Sequence, residues 1–406
     1  MTAAVRTSRR PALGHGGAAL VLALLMGLQP ATTDIYLPAL PLLTAELAAP
    51  MGLAQMTMSA LILAFGCGQL LWGPVADRVG RRPVLVGTLL AYALASIGGA
   101  LAGSIEQLVL WRTLQGFVMA GSVVCSRAMV RDLYEPTEGA QVMALALTGL
   151  GVVAISGPAL GGLVTGWAGW RMALVVVAVY GAVALAIVAW RVPETLVHKN
   201  PRATALGPML ANWWQVLCHP GFRAWMLLVT CTYGGIFTYL AGSSFVYMDV
   251  LGLSAGEYGL ALASVSCFYM AATVLCRSWI RRFGMAGTVA RGAFFTAVAC
   301  MSMVALALAD VRSIWAVLVP QWIYGFGHGF HMPCGQAGTV GPFPQKAGAA
   351  SALAGFIMAG VAFGIGQWLG VALDGTVQPF AYGLGFWAAM TCLVAWTLVR
   401  RHGTLR

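Results

Sequence analysis

Two ionisable side chains stand inside long apolar stretches, and they frame the chemistry open to this chain. Asp34 comes late in an apolar run that begins near residue 17. A carboxylate placed in hydrocarbon costs at least about 2.5 kcal/mol. Low-dielectric surroundings favour its neutral form, so Asp34 is a candidate proton carrier. The alternative is an interfacial cap or turn residue ahead of Pro38. Arg112 is the only basic residue deep within such a stretch. A guanidinium stays charged, so it carries no proton itself. It can steady a carboxylate or a water chain, or simply bond backbone carbonyls while packing. Asp34 and Arg112 form the expected proton-coupling pair. None of the other Asp and Glu residues is expected within the membrane interior.

A second chemistry is concentrated in Gly73-Pro74-Val75-Ala76-Asp77-Arg78-Val79-Gly80-Arg81-Arg82. Asp77, Arg78, Arg81 and Arg82 crowd into six positions of a chain in which 9% of residues are charged. Arg81 is four residues after Asp77, and Asp132 ends a later apolar stretch on the same side. These three are expected to form a latch that holds one side closed, with Asp77 also a candidate cap for a helix starting near Ala347, where the helix dipole favours an anion. The alternative is positive charge that sets orientation alone. In Gly157-Pro158-Ala159-Leu160-Gly161-Gly162, the proline frees a carbonyl and permits a kink. Gly161 and Gly162 allow close helix approach. His328 and His331, three apart, share a helix face. They are candidates for substrate or proton binding, or are polar groups near a kink before Pro333.

The elements that must position these groups are membrane helices. The chain is 60% hydrophobic with mean hydropathy +0.83, whereas soluble domains carry roughly 25% charged residues. A soluble core cannot hide that surface. Apolar segments fall near 17–40, 52–74, 83–103, 106–127, 140–166, 171–191, 223–248, 257–280, 286–309, 313–335, 347–373 and 380–400, about twelve spans at about 20 residues each. If residue 1 is cytoplasmic, nearly all basic residues, from Arg6, Arg9 and Arg10 to Arg406, lie at cytoplasmic ends; Arg171 and Arg312 lie opposite. This bias places both termini inside. Arg9-Arg10 before an apolar run resembles a signal peptide, but no small-residue cleavage site follows, so a retained first helix is expected. The organisation expected is a tail (1–16), a six-helix bundle (17–192), a cytoplasmic linker (193–221), a second bundle (222–401) and a tail (402–406). A faint repeat at an offset of 204 residues pairs Gly80 with Gly284, Gly151 with Gly355 and Gly162 with Gly366. Arg281 stands where the acid Asp77 would recur.

Taken together, these motifs resemble the major facilitator superfamily. The Gly73–Arg82 run is similar to its loop between helices two and three. Arg112-Thr113-Leu114-Gln115-Gly116 is similar to its helix-four motif, and Gly157–Gly162 to the helix-five signature of its proton antiporters. Thr33–Pro41, Arg127–Tyr134 (with Arg131 and Asp132) and Ala347–Gly355 resemble the Bcr/CflA multidrug-efflux subfamily. The resemblance implies an all-α integral membrane fold of twelve transmembrane helices in two pseudo-symmetric bundles. It further implies a monomer in a bacterial inner membrane that exports drugs or other small amphipathic molecules in exchange for protons. The gating set is then Gly73, Asp77, Arg78, Gly80, Arg81, Arg82, Arg131 and Asp132; the antiporter helix carries Gly157, Pro158, Gly161 and Gly162.

Adaptable apolar walls suit varied cargo. Tyr36, Gln115, Tyr233, Phe237, Tyr239, Tyr269, Trp322, His328, His331 and Phe356 are the candidate cavity residues. No cofactor is expected: there is no phosphate-loop run and only two lysines. Nor is a metal, since the nine cysteines have no paired spacing and read as packing residues. The net charge of +11 follows from topology rather than nucleic-acid binding. A dedicated exporter of one metabolite, such as an amino acid or sugar derivative, remains an alternative. A channel or membrane enzyme is more remote, for want of a filter-like loop or a clustered catalytic set.

Overall fold

The computed structural model describes residues 14–403. The expectations for Arg6, Arg9, Arg10, Arg406 and most of both tails fall outside the described residues. Among the described residues every regular element is helical. The first half contains α1 (His15–Asp34), a short 3₁₀ turn (Leu37–Ala39), α2 (Leu40–Glu46), α3 (Met51–Val79), α4 (Arg81–Ala100), α5 (Ile105–Leu133), α6 (Pro136–Ala168) and α7 (Trp170–Arg191). The linker carries α8 (Leu206–Cys218). The second half contains α9 (Pro220–Ser244), a π-helical extension (Phe245–Val250), α10 (Ala255–Leu308), α11 (Ile314–Val340), α12 (Ala347–Ala372), α13 (Gln378–Trp396) and α14 (Leu398–His402).

Ten helices among the described residues are long and apolar enough to cross a membrane. One of these, α10, is 54 residues long and breaks at Gly284, whose φ of 67° is non-helical. Dividing it there, and adding the 27-residue α11, fits a count of twelve. Gly80 makes the matching break between α3 and α4, at φ 124°. Both positions need backbone that an L side chain resists, so the sequence repeat coincides with equivalent turns. Large apolar side chains such as Leu110, Leu163 and Val371 face outward, a surface that lipid and not water satisfies.

Within the first half α3 packs on α5, α4 on α7, and α1 on α6; within the second, α10 packs on α11 and α13. The halves meet along two seams, α3 against α12 and α6 against α10. Hydrophobic transfer does little between helices already in lipid, so close backbone approach must hold such seams. Small residues permit it. A Cβ at Gly66 would stand 3.2 Å from the Cα of Phe356 in α12. One at Gly162 would stand 3.2 Å from the Cα of Gly256 in α10. The repeat partners take equivalent places: Gly151 abuts Met270 across one seam, Gly355 abuts Gln69 across the other, and Gly366 abuts Ser59.

Candidate transport pathway

Asp34 closes α1 at the end remote from the cation-rich loop. Its carboxylate accepts from the Thr33 hydroxyl at 2.8 Å. It faces α6: a Cβ on Gly157 would lie 3.5 Å from the Asp34 Cβ. One turn on, Gly161 lies against the chain just past Asp34, where a Cβ would come within 2.7 Å of the Cα of Ile35. The Pro158 carbonyl faces Gly259 of α10, where a Cβ would stand 2.5 Å from it. The Gly157–Gly162 run is thus the crossing point of α1, α6 and α10, and Asp34 sits at that crossing. The sequence named both features separately; their contact is a structural finding.

Arg112 is 1% exposed. Its Nη1 donates to the Thr32 carbonyl at 3.3 Å and to Gln115 Oε1 at 2.8 Å, and its Nε donates to the Thr57 carbonyl at 3.4 Å. The guanidinium lies 4.1 Å from the centre of the Tyr36 ring, an attraction that strengthens when both are desolvated. The Tyr36 hydroxyl donates to Thr57 Oγ1 at 2.7 Å, and Gln115 Nε2 donates to Ser96 Oγ at 2.7 Å. The Thr32 and Tyr92 hydroxyls complete the cluster. The four ion pairs among the described residues include neither Asp34 nor Arg112. Arg112 therefore grips the backbone two residues before Asp34 and the ring two residues after it, rather than the carboxylate itself. Gly116 makes that reach feasible, because a Cβ there would stand 2.8 Å from the carbonyl carbon of Leu61. Gly116→Ala is expected to push α5 off α3 and destabilise the protein by about 1–3 kcal/mol, seen as a lower melting temperature in detergent.

The polar loop forms a network at the opposite end. Arg81 Nη2 pairs with Asp77 Oδ1 at 2.5 Å, and its Nε pairs with Asp132 Oδ2 at 3.2 Å. Arg81 is buried. Glu194 was not foreseen. It accepts the backbone N–H groups of Arg81 at 2.9 Å and Arg82 at 3.2 Å, and so caps α4, where an anion also suits the helix dipole. Thr195 donates to Asp132 Oδ2 at 3.2 Å, Arg78 donates to Thr204, Arg82 donates to the Ala189 carbonyl, and the Asp77 carbonyl accepts from Asn200 N–H. The linker is thereby strapped over the loop. All these partners belong to the first half and the linker. Gly73 has only Val124 within reach of a Cβ, at 3.7 Å. Asp77 does not cap α12, whose N-terminus has no side-chain cap. At this end the contact across the bundles runs from Arg127 Nη1 to Ser351 Oγ, at 3.1 Å, and Arg131 approaches Gly348.

A cavity of about 390 Å³ lies between the bundles, bordered by α1, α3 and α5 on one side and α9, α11 and α12 on the other. Tyr233 lines it; the remaining expected cavity residues are not among its lining. Most of them are held by packing or hydrogen bonds elsewhere, although the buried Tyr239 hydroxyl has no hydrogen-bond partner among the described residues. Tyr36 and Gln115 serve Arg112. Phe237 and Tyr239 are buried. Trp322 donates to Ser264 Oγ at 2.8 Å, and the Phe356 backbone abuts Gly66. His328 and His331 share one partner, Thr232 Oγ1, at 2.8 and 3.5 Å from their Nδ1 atoms. Tyr269 stands 5.5 Å from His328, ring centre to ring centre. The histidines thus face α9 inside the second bundle. Among the described residues no group of three or more His, Cys, Asp or Glu is arranged to hold a metal ion.

The sequence pattern of the Major Facilitator Superfamily matches residues 22–367. The chain belongs to that superfamily. It is 32% identical over 348 residues to a chloramphenicol resistance protein of Pseudomonas aeruginosa, covering 82% of this chain and 78% of that one. It is 33% identical over 260 residues to YdgK, an uncharacterized MFS-type transporter of Bacillus subtilis, covering 61% of this chain and 65% of that one. Other relatives are named for multidrug and bicyclomycin resistance, which agrees with the Bcr/CflA-type stretches. The crystal structure of a D-xylose-proton symporter has the same fold, with a TM-score of 0.72 at 17% identity over 94% of this chain and 95% of that one. This superfamily member is accordingly a multi-pass membrane transporter with drug-resistance relatives, built as two bundles around a cavity.

Proposed function

We propose that this protein is a proton-coupled antiporter that exports drugs or similar small amphipathic molecules across a bacterial inner membrane by alternating access, with both termini cytoplasmic. The observation that carries this reading is the position of Asp34. It lies where α1 meets the inter-bundle seam at Gly157–Gly162, so a change in its charge acts directly on the surface along which the halves rock. Arg112, bonded to Thr32 and stacked on Tyr36, transmits any shift of that helix end to α3 and α5. The resistance-named relatives support the cargo class, and the cation distribution supports the orientation. No cofactor enters this reading. One charge crossing 100 mV supplies about 2.3 kcal/mol, which sustains roughly a 50-fold gradient of neutral cargo per proton.

The test is uptake of a compound panel into inverted membrane vesicles energised by a proton gradient. Accumulation that collapses on adding a protonophore supports the reading; uptake indifferent to the gradient sinks it. The loop network acts in this scheme as a latch that keeps the first bundle and linker rigid while the cavity opens and closes. Asp77→Asn is expected to slow transport several-fold at unchanged protein level, and transport at the parent rate would remove the latch role.

A further inference from the structure

We infer that the cavity between the bundles selects neutral and anionic molecules bearing an exposed oxygen acceptor, anchored by Arg127, and rejects organic cations. This rests on the cavity being the cargo site of the proposed transporter, and adds which cargo it takes. Arg127 lies on α5, six residues before its cation-rich end, and borders the cavity. Gln29, Gln69 and Gln336, from α1, α3 and α11, border the same space. No Asp or Glu is among the lining residues, so the wall carries one formal positive charge and no negative one.

Arg127 has no carboxylate partner: the four ion pairs among the described residues leave it out. Its hydrogen bond to another side chain is the one from Nη1 to Ser351 Oγ, while a guanidinium has five N–H donors. A cation inside a membrane protein without a counter-charge is costly, and an oxygen ligand with two lone pairs facing that fork relieves the cost. Carboxylate, nitro, carbonyl and sulfonyl groups all present such oxygens. The glutamine amides can each donate or accept, and so serve varied second contacts without adding charge. Phe65, Met332 and Met358 supply the apolar remainder; thioethers adapt to irregular shapes. An organic cation meets the reverse situation. It is held beside Arg127 in a poorly screened space, with no lining carboxylate to receive it. Asp34 lies outside the lining set, at the far end of α1.

The decisive measurement is equilibrium binding to the purified full chain in detergent, with three probes of one size: 4-butylbenzoate, 4-butylbenzamide and 4-butylbenzylamine, the last a cation at neutral pH. The benzoate and amide are expected to bind, and the benzylamine at least tenfold more weakly. Arg127→Met should weaken benzoate about tenfold or more and the amide less. Arg127→Glu should reverse the order of benzoate and benzylamine. Arg127→Lys, which keeps the charge, should retain much of the benzoate binding and shows that lost binding is not lost folding. Benzylamine binding as tight as benzoate overturns the inference, as does an unchanged benzoate affinity in Arg127→Met, or no binding by any probe. No proton gradient is involved. The charge preference can therefore fail while gradient-driven uptake stands, and uptake can fail while the preference stands.

Discussion

Asp34→Asn will leave the protein in the membrane at its normal level and remove its ability to concentrate cargo. The amide is close to isosteric, and its oxygen can still accept from Thr33, so the end of α1 keeps its place against Gly157. What it loses is the ability to alternate between charged and neutral. The gradient sustained in energised vesicles should fall from roughly 50-fold per proton to about unity. Exchange of labelled for unlabelled cargo without a gradient should continue, because that needs rocking but no titration. Asp34→Glu should restore part of the accumulation. Full accumulation by the Asn variant would show that the titrating group lies elsewhere.

Arg112→Met should damage the protein more broadly. The guanidinium supplies the donors received by the Thr32 carbonyl, the Thr57 carbonyl and Gln115 Oε1, all of them buried. A buried acceptor left without its partner costs about 1–3 kcal/mol, and the Tyr36 ring loses its cation as well. These costs share one network and do not simply add. The expected result is a sharply lower yield and melting temperature, with transport absent in whatever protein remains. Arg112→Lys should recover part of the stability, since a charge is again present, but not transport, because an ammonium cannot reproduce the fork that ties α1, α3 and α5. A Met variant that melts with the parent would show that the cluster is not holding these helices.

The fold was legible in the sequence because lipid imposes long apolar spans and a one-sided distribution of cations. The break at Gly284 was readable from its match to Gly80 across the half-chain offset. The Asp77–Arg81–Asp132 set was readable too, as opposite charges at helix ends with a four-residue spacing. Glu194 was not. It lies in the linker, 113 positions from Arg81, and no local periodicity connects a linker carboxylate to a helix N-terminus it will cap. Helix α8 was hidden by prolines at 193, 201, 208 and 220. Pro208 proves harmless because it falls in the first turn, where no intrahelical donor is lost. The cavity aromatics were hardest to place. Which face of a helix turns inward depends on how neighbours pack, and all-apolar helices carry no polar stripe to reveal it. Arg127 sat in a recognised stretch, yet its role emerged only when the space beside it proved free of acids.

The matched glycines at the two seams have a consequence for how the chain is assembled. Each half offers one glycine-bearing helix, α6 or α12, and receives its partner's on another, α10 or α3. That is the isologous arrangement of a two-fold dimer, in which one patch serves both surfaces. The protein is in effect a pseudo-symmetric dimer whose two unlike halves are joined in one chain. The strapped segment between residues 193 and 221 keeps the second subunit at the high local concentration that a free partner would have to reach by diffusion.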